Sequence, residues 1–225
     1  MSMFCFQCEQ TAAGKGCSKV GVCGKQPETA VLQDLIIFQL KGISLYAYEL
    51  RKIGIKSIEA DRFAVEALFT TITNVDFDNN RLESIIRKGD EIKKSLKKQY
   101  LSNSKKEIDN PAAKWEAQGS LQDLIKFAET IGVQSNVLQT ESEDTNSLKQ
   151  IVTYGLKGLA AYADHALVLG FEEDSVYEFI HSALSELTQK KEVNELIGLV
   201  LKTGEVNLKV MELLDKANTE TFGHP

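Results

Sequence analysis

The chain repeats itself. Residues 40–55, LKGISLYAYELRKIGI, align without a gap on residues 156–171, LKGLAAYADHALVLGF, an offset of 116 positions. Identities fall at Leu40/Leu156, Lys41/Lys157, Gly42/Gly158, Tyr46/Tyr162, Ala47/Ala163 and Gly54/Gly170. The same offset sets Phe63 on Phe179, Ala67 on Ala183 and Leu68 on Leu184; in the third helix of each half, Gly89-Asp90 is answered by Gly204-Glu205, one residue out of that register. Agreement over successive amphipathic segments favours duplication over chance, so both halves should fold into the same unit.

That unit is helical. Only three prolines occur, Pro27, Pro111 and Pro225, and none interrupts a periodic stretch. Pro27 and Glu28 suit a helix start, and Leu32, Leu35, Ile36, Leu40, Ile43, Ala47 and Leu50 then recur at helical spacing. This predicts a helix of roughly 40 Å ending at Gly54. Further helices are expected near 58–73, 78–101, 121–131, 145–169, 173–188 and 192–217, and no run alternates as a strand would. The predicted fold is all-α: two tandem three-helix bundles preceded by a cysteine-rich loop. The loop would occupy 1–27, the first bundle 28–101, a connector 102–120 and the second bundle 121–225. Trp115 should pin the connector, and Gly42 and Gly158 should mark close helix approaches.

Every cysteine lies in that loop, as C-x2-C-x8-C-x5-C at Cys5, Cys8, Cys17 and Cys23, among Gly14, Gly16, Gly21 and Gly24. Four soft thiolates on a glycine-rich loop can converge on one metal centre. An iron–sulfur cluster needs such donors, a wrapping backbone and N–H groups aimed at sulfur; Lys15, Lys19 and Lys25 could offset its charge. Structural zinc is the alternative, although zinc sites usually pair two short arms. Disulfides come third, because the expected compartment is a reducing cytoplasm: Cys5 leaves no room for a secretory signal ahead of it. No apolar run approaches the length of a membrane span. A net charge of −6 argues against nucleic acid as a partner.

The stretch FCFQCEQTAAGKGCSKVGVCGKQPE, followed by LQDLIIFQLKGISLYAYELRKIGI, closely resembles the N-terminus of the hybrid-cluster protein family, also called hydroxylamine reductase or prismane protein. The resemblance implies that Cys5, Cys8, Cys17 and Cys23 bind a cubane [4Fe–4S] cluster. It also implies a first domain of two three-helix bundles, and a hybrid iron–sulfur–oxygen cluster held by later catalytic domains. Those domains' ligands are not in this sequence, and TFGHP looks like the junction toward them. The intact protein would reduce hydroxylamine to ammonia or act on nitric oxide. This chain would relay electrons from a redox partner protein and would not itself turn over hydroxylamine.

Other candidates are weaker. His165 and His181 lie on different helices without a metal-binding pattern, and His224 stands alone. Glu172, Glu173 and Asp174 are explained by the start of a helix. Lys93, Lys94, Lys97 and Lys98 read as a solvated face, and Tyr46 and Tyr162 as packing residues. No P-loop or dinucleotide fingerprint occurs.

Overall fold

The computed structural model describes residues 3–104, 106–133 and 141–224. Met1, Ser2, Lys105, residues 134–140 and Pro225 fall outside them, and with them parts of the predicted loop, connector, second unit and junction. Among the described residues the fold is all-α: α1 Pro27–Lys52, α2 Ile58–Thr70, α3 Asn79–Asn103, α4 Pro111–Lys114, α5 Leu121–Ile131, α6 Glu143–Val168, α7 Asp174–Glu186 and α8 Val193–Phe222. A single 3-10 turn, Ala12–Gly14, precedes them. Side-chain caps set several starts: Ser57 accepts from Ala60 N–H, Asp78 from Asn80 N–H, and Ser142 from Thr145 N–H.

The repeat in sequence is a repeat in structure. Shifting the bounds of α1 and α2 by 116 residues gives those of α6 and α7 at both ends. The stops match as well. Gly54 and Gly170 take left-handed φ values of 80° and 85°, and Ile55 N–H reaches Leu50 C=O as Phe171 N–H reaches Ala166 C=O, both at 3.0 Å. This back-bonding past a glycine satisfies carbonyls that the helix leaves open. The third helices differ, since α8 begins earlier and runs longer than α3.

Helix α3 packs along α1, and α8 along α6. Contacts also cross between the repeats, α2 lying chiefly against α6 and α7 against α1. The helices of both repeats accordingly share one large cluster, joining Leu32, Leu35, Ile86, Leu156, Ile180 and Val210. Helix α1 touches α2, α3, α4, α5 and α7. That central position explains a composition the sequence reading underrated: α1 is long and apolar enough to cross a membrane by length and composition alone. However, 83% of its most apolar 18-residue window is buried inside the protein. A helix apolar on most sides is expected at the centre of a large core.

The glycine expectation holds at one position and fails at its counterpart. A Cβ at Gly42 would sit 2.1 Å from the Ala112 carbonyl oxygen, so the backbones of α1 and α4 approach directly there. At Gly158 the same atom would meet only Asn207 Nδ2, at 3.9 Å, an ordinary contact. The single-residue swap to alanine should therefore have opposite signs. Gly42→Ala should cost about 1–3 kcal/mol through overpacking, whereas Gly158→Ala should add up to about 1 kcal/mol from helix propensity. Urea unfolding of both variants checks this, and equal effects would show that the approach at Gly42 is not tight.

Trp115 pins the connector as expected. Its ring stacks on Phe127 at 5.2 Å and meets Phe38 edge-on at 6.2 Å. Lys93 departs from the expected solvated face. It is buried, donates to the carbonyls of Ala112 and Trp115, and lies over the indole at 5.0 Å. A lysine inside a lysine run is thus spent on fixing α4, while Lys94 stays at the surface and pairs with Asp90 at 2.8 Å.

Candidate metal centre and its surroundings

The cysteine loop seats against the start of α1 and the middle of α6. Cys5 and Cys17 face each other across two backbone hydrogen bonds, Cys17 N–H to Cys5 C=O at 2.8 Å and the reverse at 3.1 Å. Met3, Cys17 and Ala30 form a small buried cluster with Cys5 packed on it. Phe4 and Phe6 lie 5.2 Å apart, and Phe6 meets Tyr154 of α6 edge-on at 5.6 Å. The Thr11 hydroxyl ties the far side of the loop to the Cys5 carbonyl at 3.2 Å.

The four thiols are free and differ in exposure: Cys17 is buried, Cys5 and Cys8 are half-buried, and Cys23 is exposed. Cys17 is electrostatically the most committed. The backbone N–H groups of Val22 and Ala12 hold its thiol below the ordinary range against the cost of burial, helped by Thr11 and the charge of Lys25. A lowered thiol favours the thiolate, which is the ligand form. Cys23 hangs on a tight turn, Gly24 N–H to Gly21 C=O at 2.8 Å, where a side chain on Gly21 would press on the Cys23 sulfur at 3.0 Å. Among the described residues, no three His, Cys, Asp or Glu side chains are drawn together as a metal-binding group. The structure thus pairs Cys5 with Cys17 and holds Cys8 and Cys23 on the same short loop without gathering all four. The donor chemistry nonetheless fits a thiolate-bound cluster: four soft donors, and N–H groups aimed at one sulfur.

Of the three lysines expected near the loop, Lys15 and Lys19 are exposed. Lys25 is buried and donates to Gln33 Oε1 at 2.6 Å, and Gln33 in turn donates to the Asp76 carbonyl at 3.0 Å. It therefore anchors the end of the loop to the α2–α3 turn.

Beside Cys5 lies a partly open cavity of about 70 Å³, lined among others by Lys25, Asp34, Lys41, Tyr154 and Lys157. Sequence reading missed it, although the signal was present: Lys41 and Lys157 are equivalent positions of the repeat. Burial pushes Asp34 up to about 6, against the opposing charges of Lys157, Lys25 and Lys41 and the N–H of Val133. Burial likewise pushes Lys41 and Lys157 down to about 8. A carboxyl group raised in this way binds its proton more tightly folded than unfolded. Its cost is absent below the unfolded value near 3.8 and complete above about 6. Asp34→Asn should stabilise the chain at pH 7 by on the order of 1–3 kcal/mol, a gain that fades toward pH 4. Thermal unfolding at both pH values checks it, and a gain equal at both would assign the effect to packing.

The histidines carry no metal pattern. His165 is exposed and rests edge-on against Phe69 at 5.4 Å, and His224 is exposed. His181 is fully buried, with Ser44 Oγ 2.9 Å from Nδ1 and Asp61 Oδ1 3.0 Å from Nε2. Asp61 also accepts from Arg51 at 2.6 Å, and Arg51 donates to Asp174 at 2.8 Å. Glu172 takes Arg62 at 2.6 Å and the Tyr177 hydroxyl at 2.7 Å. The acidic start of α7 therefore ties the repeats together, a role that a helix start does not explain. Tyr46 is buried against Tyr100, whereas Tyr162 is 37% exposed and does not share its packing role.

Known proteins resemble this chain in sequence. The profile of the Prismane/CO dehydrogenase family matches residues 3–225. The chain belongs to that family. Relatives called hydroxylamine reductase include one from Syntrophobacter fumaroxidans, 46% identical over 228 residues, covering 99% of this chain and 41% of the relative. One from Methanocella arvoryzae is 44% identical, with 99% and 41% covered. One from Clostridium botulinum is 44% identical over 252 residues, with 100% and 43% covered. The chain thus spans about two-fifths of the length of the curated relatives it matches.

Proposed function

We propose that this chain is the iron–sulfur electron-transfer domain of a hydroxylamine reductase-type oxidoreductase. The reading rests on the loop of four free thiols with backbone N–H groups turned toward the Cys17 sulfur, in a chain of the Prismane family. Cys5, Cys8, Cys17 and Cys23 would hold a [4Fe–4S] cluster, which supplies a one-electron carrier when bound. The chain's own residues shape that role. Met3 and Ala30 shield Cys17 from water, Thr11 and the Cys5–Cys17 pairing fix the loop, and buried Lys25 offsets negative charge at the sulfur.

A redox partner protein in the cytoplasm would donate the electron, and the catalytic domains of the longer protein, with their hybrid cluster, would receive it. The outer face of α8 suits the latter contact. Ile197, Leu201, Leu208, Met211 and Phe222 follow three- and four-residue spacing or its multiples and stand 43–73% exposed. The curated relatives are more than twice as long as the matched stretch, which leaves ample protein to cover this stripe.

Anaerobic reconstitution followed by iron, sulfide and zinc analysis tests the reading. The expected result is ~4 iron and ~4 sulfide per chain, broad visible absorption that dithionite bleaches, and no hydroxylamine turnover by this chain alone. A colourless protein with one zinc per chain would replace the redox role by a structural one. Hydroxylamine turnover by the chain would overturn the division of labour.

A further inference from the structure

The cavity beside Cys5 is built unlike a core defect. Three lysines and one aspartate line it, with the amides of Gln7 and Gln150 at its wall. Lys25 is satisfied by Gln33 at 2.6 Å, and Lys157 has, among the described residues, one hydrogen bond, to the Thr71 carbonyl at 3.3 Å. Lys41 makes no hydrogen bond or ion pair among the described residues. Asp34 accepts from Val133 N–H at 3.3 Å and, among the described residues, forms no ion pair with any of the three lysines sharing its cavity. Lys41 is half-buried, and an ammonium group partly withdrawn from water without a partner gains by meeting an anion. Here the positive side of the cavity exceeds the negative side by two charges.

The repeat explains how these charges meet. Lys41 of α1 and Lys157 of α6 occupy equivalent positions 116 residues apart, and the packing of the two halves delivers both to one cavity. A volume of about 70 Å³ accommodates several waters or one anion of about four or five heavy atoms. An ion with several acceptor atoms satisfies donors arriving from two helices at once, which a single-atom halide does less well.

We propose that this cavity is a binding site for a small inorganic oxyanion, held between Lys41 and Lys157 and opposed by Asp34. The site does not rest on the electron-transfer reading, because the two lysines that would hold the ion, Lys41 and Lys157, lie on α1 and α6, although Gln7 and Lys25 of the cysteine loop share the cavity wall. Titration calorimetry of the full chain, purified anaerobically, with nitrate, sulfate and phosphate in turn and chloride as a control, tests it. Saturable binding of at least one oxyanion with Kd of about 1 mM or tighter is expected. Lys41→Met should weaken it at least about tenfold, Asp34→Asn should tighten it, and Lys98→Met, on the outer face of α3, should leave it unchanged. Absence of saturable binding for all three oxyanions overturns the proposal, as does an unchanged Kd in Lys41→Met. Should that variant fail to fold, Asp34→Asn decides: affinity that stays the same or falls overturns the site. Iron and sulfide content measured on the same samples separates this outcome from that of the proposed cluster.

Discussion

Cys17→Ser should abolish the visible absorption of the reconstituted chain and reduce its iron from ~4 per chain to below ~1. A serine hydroxyl titrates far above a thiol and is a hard, weak donor to iron, so it replaces the ligand in shape only. The effect should be largest here because Cys17 is the buried member of the set. Val22 and Ala12 N–H groups, Thr11 and Lys25 all favour its thiolate. Cys5→Ser, Cys8→Ser and Cys23→Ser should each lose iron too, though less completely, since each removes one of the four proposed ligands. Ser18→Ala, beside Cys17 but without a sulfur, serves as the control. A Cys17→Ser chain with the parent's iron, sulfide and spectrum would remove Cys17 from the ligand set. Loss confined to two of the four would point to a different centre.

Asp61→Ala should lower stability by roughly 3–5 kcal/mol, and the melting temperature by roughly 10 °C for a chain of this size. Asp61 is the hub of a buried network, accepting from Arg51 at 2.6 Å and meeting His181 Nε2 at 3.0 Å. Burial works against the Arg51 charge, yet its bonds to Asp61 and Asp174 hold it above its ordinary range. Without Asp61, Arg51 keeps Asp174 and His181, fully enclosed, keeps Ser44 as their sole side-chain partners among the described residues. Leaving such groups unsatisfied costs more than the bonds contribute while intact. Asp61→Asn should fall between, since the amide can still reach His181 but no longer neutralises Arg51. Thermal unfolding beside Glu59→Ala, an exposed carboxylate on the same helix, provides the comparison. Equal shifts for the two would mean that the network carries no special weight.

Local chemistry made much of this protein legible. The helix starts follow from Pro27, Ser57, Asp78, Ser120 and Ser142, residues that bond or pre-shape the first turn without help from afar. Gly54 was readable as a stop because a left-handed residue favours glycine wherever it occurs, and Gly170, its repeat equivalent, takes the same conformation. The cysteine loop was equally plain, since all four thiols fall within one short segment. Lys93 was not legible: its neighbours in sequence suggest solvent, and only the folding of α4 over α3 buries it. His181 had the same difficulty, because Ser44 and Asp61 stand 137 and 120 residues away.

The division follows from range. Periodicity, caps, the 116-residue repeat and the thiol spacing act over a few residues or one alignment, so the chain's letters settle the helices, their recurrence and the crowding of four thiols on one loop. Tertiary packing alone decided which copies of the repeat diverge. It set α4 against Gly42 but left Gly158 open, and buried Tyr46 but exposed Tyr162. It also brought Lys41, Lys157 and Asp34 into one cavity and Ser44, His181, Asp61 and Arg51 into one network. Those outcomes depend on groups far apart in sequence being desolvated together, and that cost or gain exists only once the helices are in place.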